Sequence, residues 1–79
     1  MHSFLLTITK LNEVVYSGEA DSVTAPGKEG ELTVLKNHIP LLTSLREGKI
    51  IVKKDDEVFE FLAAKGILEV SQKGVTLLI

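Results

Sequence analysis

The fold predicted for this chain is all-β, a small sandwich of short strands, and three observations predict it. Apolar and polar residues alternate with a period of two along most of its 79 residues. Gly, Pro, Asn and Asp interrupt that alternation at short, regular intervals. No stretch long enough for a helix carries an apolar stripe at 3.6-residue spacing.

The elements follow in order. Phe4, Leu6 and Ile8 point one way and Leu5, Thr7 and Thr9 the other, which reads as a first strand. A polar turn at Leu11-Asn12-Glu13 leads to Val14 and Tyr16, where the alternation resumes. Residues 20–25 form a third strand with Val23 as its bulkiest apolar residue, closed by Pro26-Gly27. Residues 32–35 make a fourth. Residues 40–45, PLLTSL, come nearest to a helical stripe and read as a single turn. Gly48 precedes a strand at Ile50-Ile51-Val52, and the Lys54-Asp55-Asp56 turn precedes one at 58–63. Gly66 and Gly74 precede the last two, at 67–70 and 75–79. The count is about eight strands rich in β-branched residues. Phe4, Leu6, Ile8, Val23, Leu32, Val34, Val52, Phe59, Phe61, Leu68, Val70 and Leu77 are the expected core.

A chain of this length is one domain, residues 1–79, and buries only about 60% of its unfolded surface. It has no cysteine, so neither disulfides nor thiolate metal sites can supplement that core. Nine basic against eleven acidic residues give a net charge of −2, without the basic footprint of a nucleic-acid binder. Apolar runs such as Leu77-Leu78-Ile79 are too short to span a bilayer. Met1-His2-Ser3 leads directly into the first strand, with no signal-peptide pattern. A soluble protein is expected, reaching any membrane through a partner.

Catalytic chemistry finds little to work with. His2 and His38 lie far apart, whereas a metal site needs three or four convergent ligands; His2 reads as a solvated terminus and His38 as a residue that orients its turn or faces a partner. Glu29 and Glu31 resemble a carboxylate pair, but acid–base work needs environments that split their pKa values. A Gly-flanked loop leaves both in water. Ser3, Ser17, Ser22, Ser44 and Ser71 lack a nucleophile-elbow context. Gly27-Lys28-Glu29-Gly30 has neither the spacing nor the charge of a phosphate loop. Residues 53–57, KKDDE, are a solvated hairpin tip. Tyr16, Phe59 and Phe61 lack the flanking cations of a base-stacking platform and are read as packing. The chain is therefore expected not to be an enzyme, and to hold no metal or cofactor.

The informative stretch is residues 25–43, APGKEGELTVLKNHIPLLT. Two turn signals, Pro26-Gly27 and Glu29-Gly30, bracket acids; a short strand follows, and then His38 between Asn37 and the Ile39-Pro40 step. Turns at both ends of a short strand, with charge on the loops, describe a surface shaped to dock another protein.

Glu29-Gly30-Glu31-Leu32, the run Asn37 to Thr43, Leu45 with Gly48, Gly66 to Val70 and Val75 to Leu78 together resemble the epsilon subunits of bacterial F-type ATP synthases, called delta in mitochondria. Val15-Tyr16-Ser17-Gly18-Glu19-Ala20 is similar too, and the resemblance runs in unbroken order along the chain. Thr33, Lys36 and Ile39 depart from it, standing where the family usually has Gly, Pro and often Ala. The resemblance implies a flattened two-layer sandwich of about ten short strands. It also implies a non-catalytic rotor subunit of the central stalk, which links gamma to the membrane c-ring and couples ion translocation to ATP synthesis. Glu29, Gly30, Glu31 and His38 would then face the c-ring, and Ile39, Leu42 and Thr43 would face gamma. The location implied is peripheral, on the cytoplasmic face of the bacterial inner membrane. The family's C-terminal helical pair, which can inhibit ATP hydrolysis and in some bacteria binds ATP, lies beyond the stretch that Ile79 closes, so no nucleotide binding is expected here. The alternative is a stand-alone sandwich that binds a peptide or carbohydrate, which would need an exposed aromatic platform or groove.

Overall fold

The computed structural model describes residues 3–79, and the expectation for His2 lies outside them. Nine strands account for most of the described residues: β1 Phe4–Lys10, β2 Glu13–Ala20, β3 Ser22–Gly27, β4 Gly30–Val34, β5 Leu41–Leu45, β6 Gly48–Lys54, β7 Glu57–Ala63, β8 Gly66–Ser71 and β9 Gly74–Leu78. They form one continuous sheet in the order β2-β1-β9-β8-β5-β3-β6-β7, with β4 added on β3. The sheet curls into two layers, β2-β1-β9-β8-β5 and β4-β3-β6-β7. Pairing is antiparallel except between β1 and β9.

The two layers are joined along opposite sides by different means. On one side, β5 meets β3 at a single pair, Gly27 opposite Leu45. Two backbone bonds flank it: Lys28 N donates to Ser44 O at 2.9 Å and Arg46 N to Pro26 O at 2.7 Å. On the other, β2 turns into β3 at Asp21, whose N–H donates to Lys53 O at 2.7 Å and whose carboxylate accepts from Asp55 N at 2.7 Å. There Tyr16 stands edge-on to Phe59 and Phe61, with ring centroids 5.6 and 6.3 Å away.

Period-two alternation decides what is buried. Leu6, Ile8, Ala20, Val23, Ala25, Val34, Leu45, Ile50, Val52, Ala63, Leu68, Val70, Val75 and Leu77 form one core, and none of the buried residues described is polar. Eight of the expected core residues are in it; Phe4, Leu32, Phe59 and Phe61 are instead half-buried at its margin. Aliphatic side chains fill the centre, and the rings of Tyr16, Phe59 and Phe61 meet one another at the margin instead.

Residues 40–45 do not form the expected turn. Leu41 to Leu45 are strand β5, paired in register with β8 from Leu41–Val70 to Leu45–Gly66. The alternation is present, with Leu41, Thr43 and Leu45 turned inward and Leu42 and Ser44 outward. Leu at adjacent positions 41 and 42 hid it. This strand brings the count to nine, and β4 ends at Val34, leaving Leu35 exposed in the following connection.

Candidate functional site

The acids of the expected docking loop sit on the β3–β4 hairpin. Gly27 pairs with Gly30, so the loop proper is the two residues Lys28-Glu29. Gly30 opens β4 with φ of +135°, a conformation that L side chains rarely adopt, which is why glycine stands after Glu29. Glu31 follows, opposite Pro26. The bonds from Lys28 N and Arg46 N fasten the base of the hairpin to β5 and the turn after it. Glu29 and Glu31 are both exposed. The ion pairs among the described residues, Lys49–Glu60 at 3.5 Å and Lys54–Asp55 at 3.8 Å, engage neither. The hairpin is therefore a fixed mount for two solvated carboxylates.

His38 is not part of that mount. It closes the turn after β4, where its N–H donates to Leu35 O at 3.1 Å and Asn37 takes φ of +67°. The five residues of β4 separate this turn from the acid hairpin, about 13 Å of strand. The expected grouping of Glu29, Gly30, Glu31 and His38 on one loop is thus divided between two ends of β4. The His38 ring is half-buried, with Nδ1 at 2.7 Å from Ile39 O. A carbonyl only accepts, so Nδ1 carries the hydrogen of this contact, and Nε2 has no hydrogen-bond partner among the described residues.

Ile39, Leu42 and Thr43 divide as well. Ile39 and Leu42 are 75% and 71% exposed, while Thr43 turns inward beside Leu41 and Leu45. Strand alternation forbids Leu42 and Thr43 from sharing a face. Apolar neighbours unsuspected from the sequence take Thr43's place. Across the sheet, Ser44 pairs with Ile67, Ile67 with Leu78, and Thr9 with both Leu78 and Val14. Ile67, Leu78 and Val14 are large, exposed and aligned on the outer face of this layer. The unbroken apolar run Leu77-Leu78-Ile79 was the available signal, because a strand apolar on both sides has a partner for each.

An open groove of about 560 Å³ lies beside His38, between the β4–β5 connection, the start of β1 and the β8–β9 turn. Lys36 and Lys73 are the charged residues among the described residues that line it, and none of these is an acid. No group of three or more His, Asp or Glu side chains among the described residues could hold a metal. Tyr16, Phe59 and Phe61 contact one another rather than forming an open stacking platform. Tyr16 OH donates to Glu19 O at 2.6 Å, and burial, the largest influence, raises its pKa above 10.0. The arrangement is built for contact.

Comparison with known proteins gives a consistent result. The family model described as ATP synthase, Delta/Epsilon chain, beta-sandwich domain matches residues 3–79. The chain is 40% identical over 80 residues to the ATP synthase epsilon chain of Herminiimonas arsenicoxydans, spanning 98% of this chain and 56% of that one. It is 45% identical over 64 residues to the Caulobacter vibrioides epsilon chain, spanning 81% of this chain and 74% of that one. It thus spans little more than half the length of the first of these relatives. A chain in the cryo-EM structure of the Euglena gracilis mitochondrial ATP synthase with its c-ring superposes with a TM-score of 0.89 at 23% identity, over 96% of this chain and 49% of that one. One from the central stalk and c-ring of the Tetrahymena thermophila enzyme gives 0.74 at 15%, over 95% and 63%. At these identities the structural likeness is one of fold.

Proposed function

The chain belongs to the ATP synthase delta/epsilon chain β-sandwich family, and on that premise we propose that it is a non-catalytic rotor component of an F-type ATP synthase, joining gamma to the c-ring. Its relatives are named epsilon chains, and the assemblies that contain its structural neighbours include the central stalk and c-ring. A rotor joint must pass torque without yielding. A core with no polar residue buried among those described, closed along both sides, provides that stiffness. The complex would hold the chain peripherally, at the cytoplasmic face of the bacterial inner membrane. The chain itself takes no cofactor and no nucleotide in this reading.

The observation that carries the proposal is the pair of solvated carboxylates on a fastened hairpin, one strand's length from an exposed apolar surface. Glu29 and Glu31, mounted beside Gly30, are assigned to the polar loops of the c-ring. Ile39 and Leu42 are assigned to gamma, together with His38, which the fold places on their side of β4. Acids on a rigid mount set register and orientation more than raw affinity.

Reversing both charges, Glu29→Lys with Glu31→Lys, tests the assignment. Neither acid has an ion-pair partner among the described residues, so unfolding free energy should move by no more than about 0.5 kcal/mol. Binding to purified c-ring should weaken about tenfold and change its salt dependence. Unchanged ring binding with lost stability would make the acids structural and end the docking assignment.

A further inference from the structure

We infer that the groove beside His38 receives an extended protein segment carrying both acidic and apolar side chains, held through Lys36 and Lys73. The identification of its bearer as gamma rests on the stalk reading above; the chemistry of the segment does not. A groove of about 560 Å³ accommodates several side chains. Leu5, Leu35 and Ile39 line it and are 60%, 57% and 75% exposed, an apolar surface that no described residue covers. The chain as a whole is acidic, with eleven acids to nine bases, yet this groove has two lysines and no carboxylate among its lining residues. Neither lysine takes part in an ion pair among the described residues.

Both lysines stand on fixed bases. Lys73 N donates to Ser71 Oγ at 3.2 Å, and Ser71 Oγ donates to Gly74 O at 3.4 Å, bracing the β8–β9 turn. Gly74 takes φ of +140° against Leu5 O, where a Cβ would come within 2.7 Å of that oxygen. The bond from His38 N to Leu35 O braces the turn that carries Lys36. Turns already ordered before binding lower the entropic cost of association. Nε2 of His38, the ring nitrogen not engaged by Ile39 O, is left to hydrogen-bond the backbone of a passing strand. A small polyphosphate is matched less well, because phosphate sites rely on bidentate Arg or converging backbone N–H groups, and a wide apolar surface contributes nothing to one.

The test uses the 79-residue chain labelled for amide NMR, titrated with a synthetic hexapeptide of sequence Asp-Leu-Glu-Val-Asp-Leu. Its amide counterpart, Asn-Leu-Gln-Val-Asn-Leu, and inorganic pyrophosphate serve as controls. The acidic peptide should shift the amides of residues 36–39 and 71–74 saturably, less so at high salt, and Lys36→Glu with Lys73→Glu should abolish the response. Equal binding of the amide peptide, an equal effect of pyrophosphate, shifts confined to the outer face of β5-β8-β9-β1, or no shift at all would each overturn the inference. Binding of purified gamma then separates it from the reading on which the partner's identity rests. The double lysine variant, with an unchanged melting curve, should bind gamma about tenfold more weakly. Full-strength binding would defeat the inference and leave the stalk reading standing. A wild-type chain that fails to bind gamma would defeat the stalk reading, and the peptide titration would still decide the chemistry of the groove.

Discussion

Leu11 is held where leucine is least at ease. Lys10 pairs with Glu13, so Leu11 and Asn12 are the two residues of a hairpin loop, at φ of +52° and +64°. Positive φ at both positions is the type I′ geometry that favours Asn and Gly, and a leucine there costs roughly 1–2 kcal/mol. Its side chain gains nothing in return, being 87% exposed. Leu11→Asn should therefore raise the unfolding free energy by about 1 kcal/mol, read from denaturant melts; a loss of stability would refute the conformational argument. Tyr16 gives a pH prediction. Its folded pKa lies above 10.0, chiefly through burial. The unfolded state then ionises first, and the stabilisation present at lower pH is lost as pH rises through the folded value. Stability should fall as the pH climbs past about 10, and Tyr16→Phe should flatten that decline at a cost of about 1 kcal/mol for its lost bond to Glu19. The chain has one tyrosine, so tyrosinate absorbance reports the titration directly.

Among the strands, β6 offers the sharpest contrast between neighbours. Ile50 is buried and Ile51 is only partly so, on the opposite face. Ile50→Ala should cost about 2–5 kcal/mol and Ile51→Ala distinctly less; equal losses would mean that the two faces of β6 are wrongly assigned. Phe61→Ala should cost about 2 kcal/mol, below the range for a fully buried ring, because Phe61 sits at the core's margin against Tyr16. Most of these elements could be read from alternation and turn residues, since each records a local demand on the chain. β5 could not, because Leu41 and Leu42 are both apolar and its pairing with β8 is a long-range fact. The acid hairpin was legible from Gly27 and Gly30. The separation of His38 from it was not, because distance along a sequence says nothing until the strand between is known to be extended. The groove drew Lys36 and Lys73 together from distant turns, and no local pattern announces that.

The molecule as a whole is a stiff body with distinct surfaces: an acid hairpin, a lysine-bearing groove with His38, and an outer sheet face carrying Leu42, Ile67 and Leu78. Its joints are unequal. A single residue pair and its flanking bonds join β5 to β3, whereas side chains and the Asp21 corner close the far side. That arrangement suits a spacer between two partners, since surfaces separated by β4 can be occupied together. Simultaneous binding tests this most directly: immobilised gamma is saturated with the chain and then exposed to purified c-ring. The ring should be captured through the chain, with gamma retained, and the capture should be lost with Glu29→Lys and Glu31→Lys. Displacement of gamma by the ring, or no capture by a chain that binds gamma, would contradict a rotor joint with separate docking surfaces.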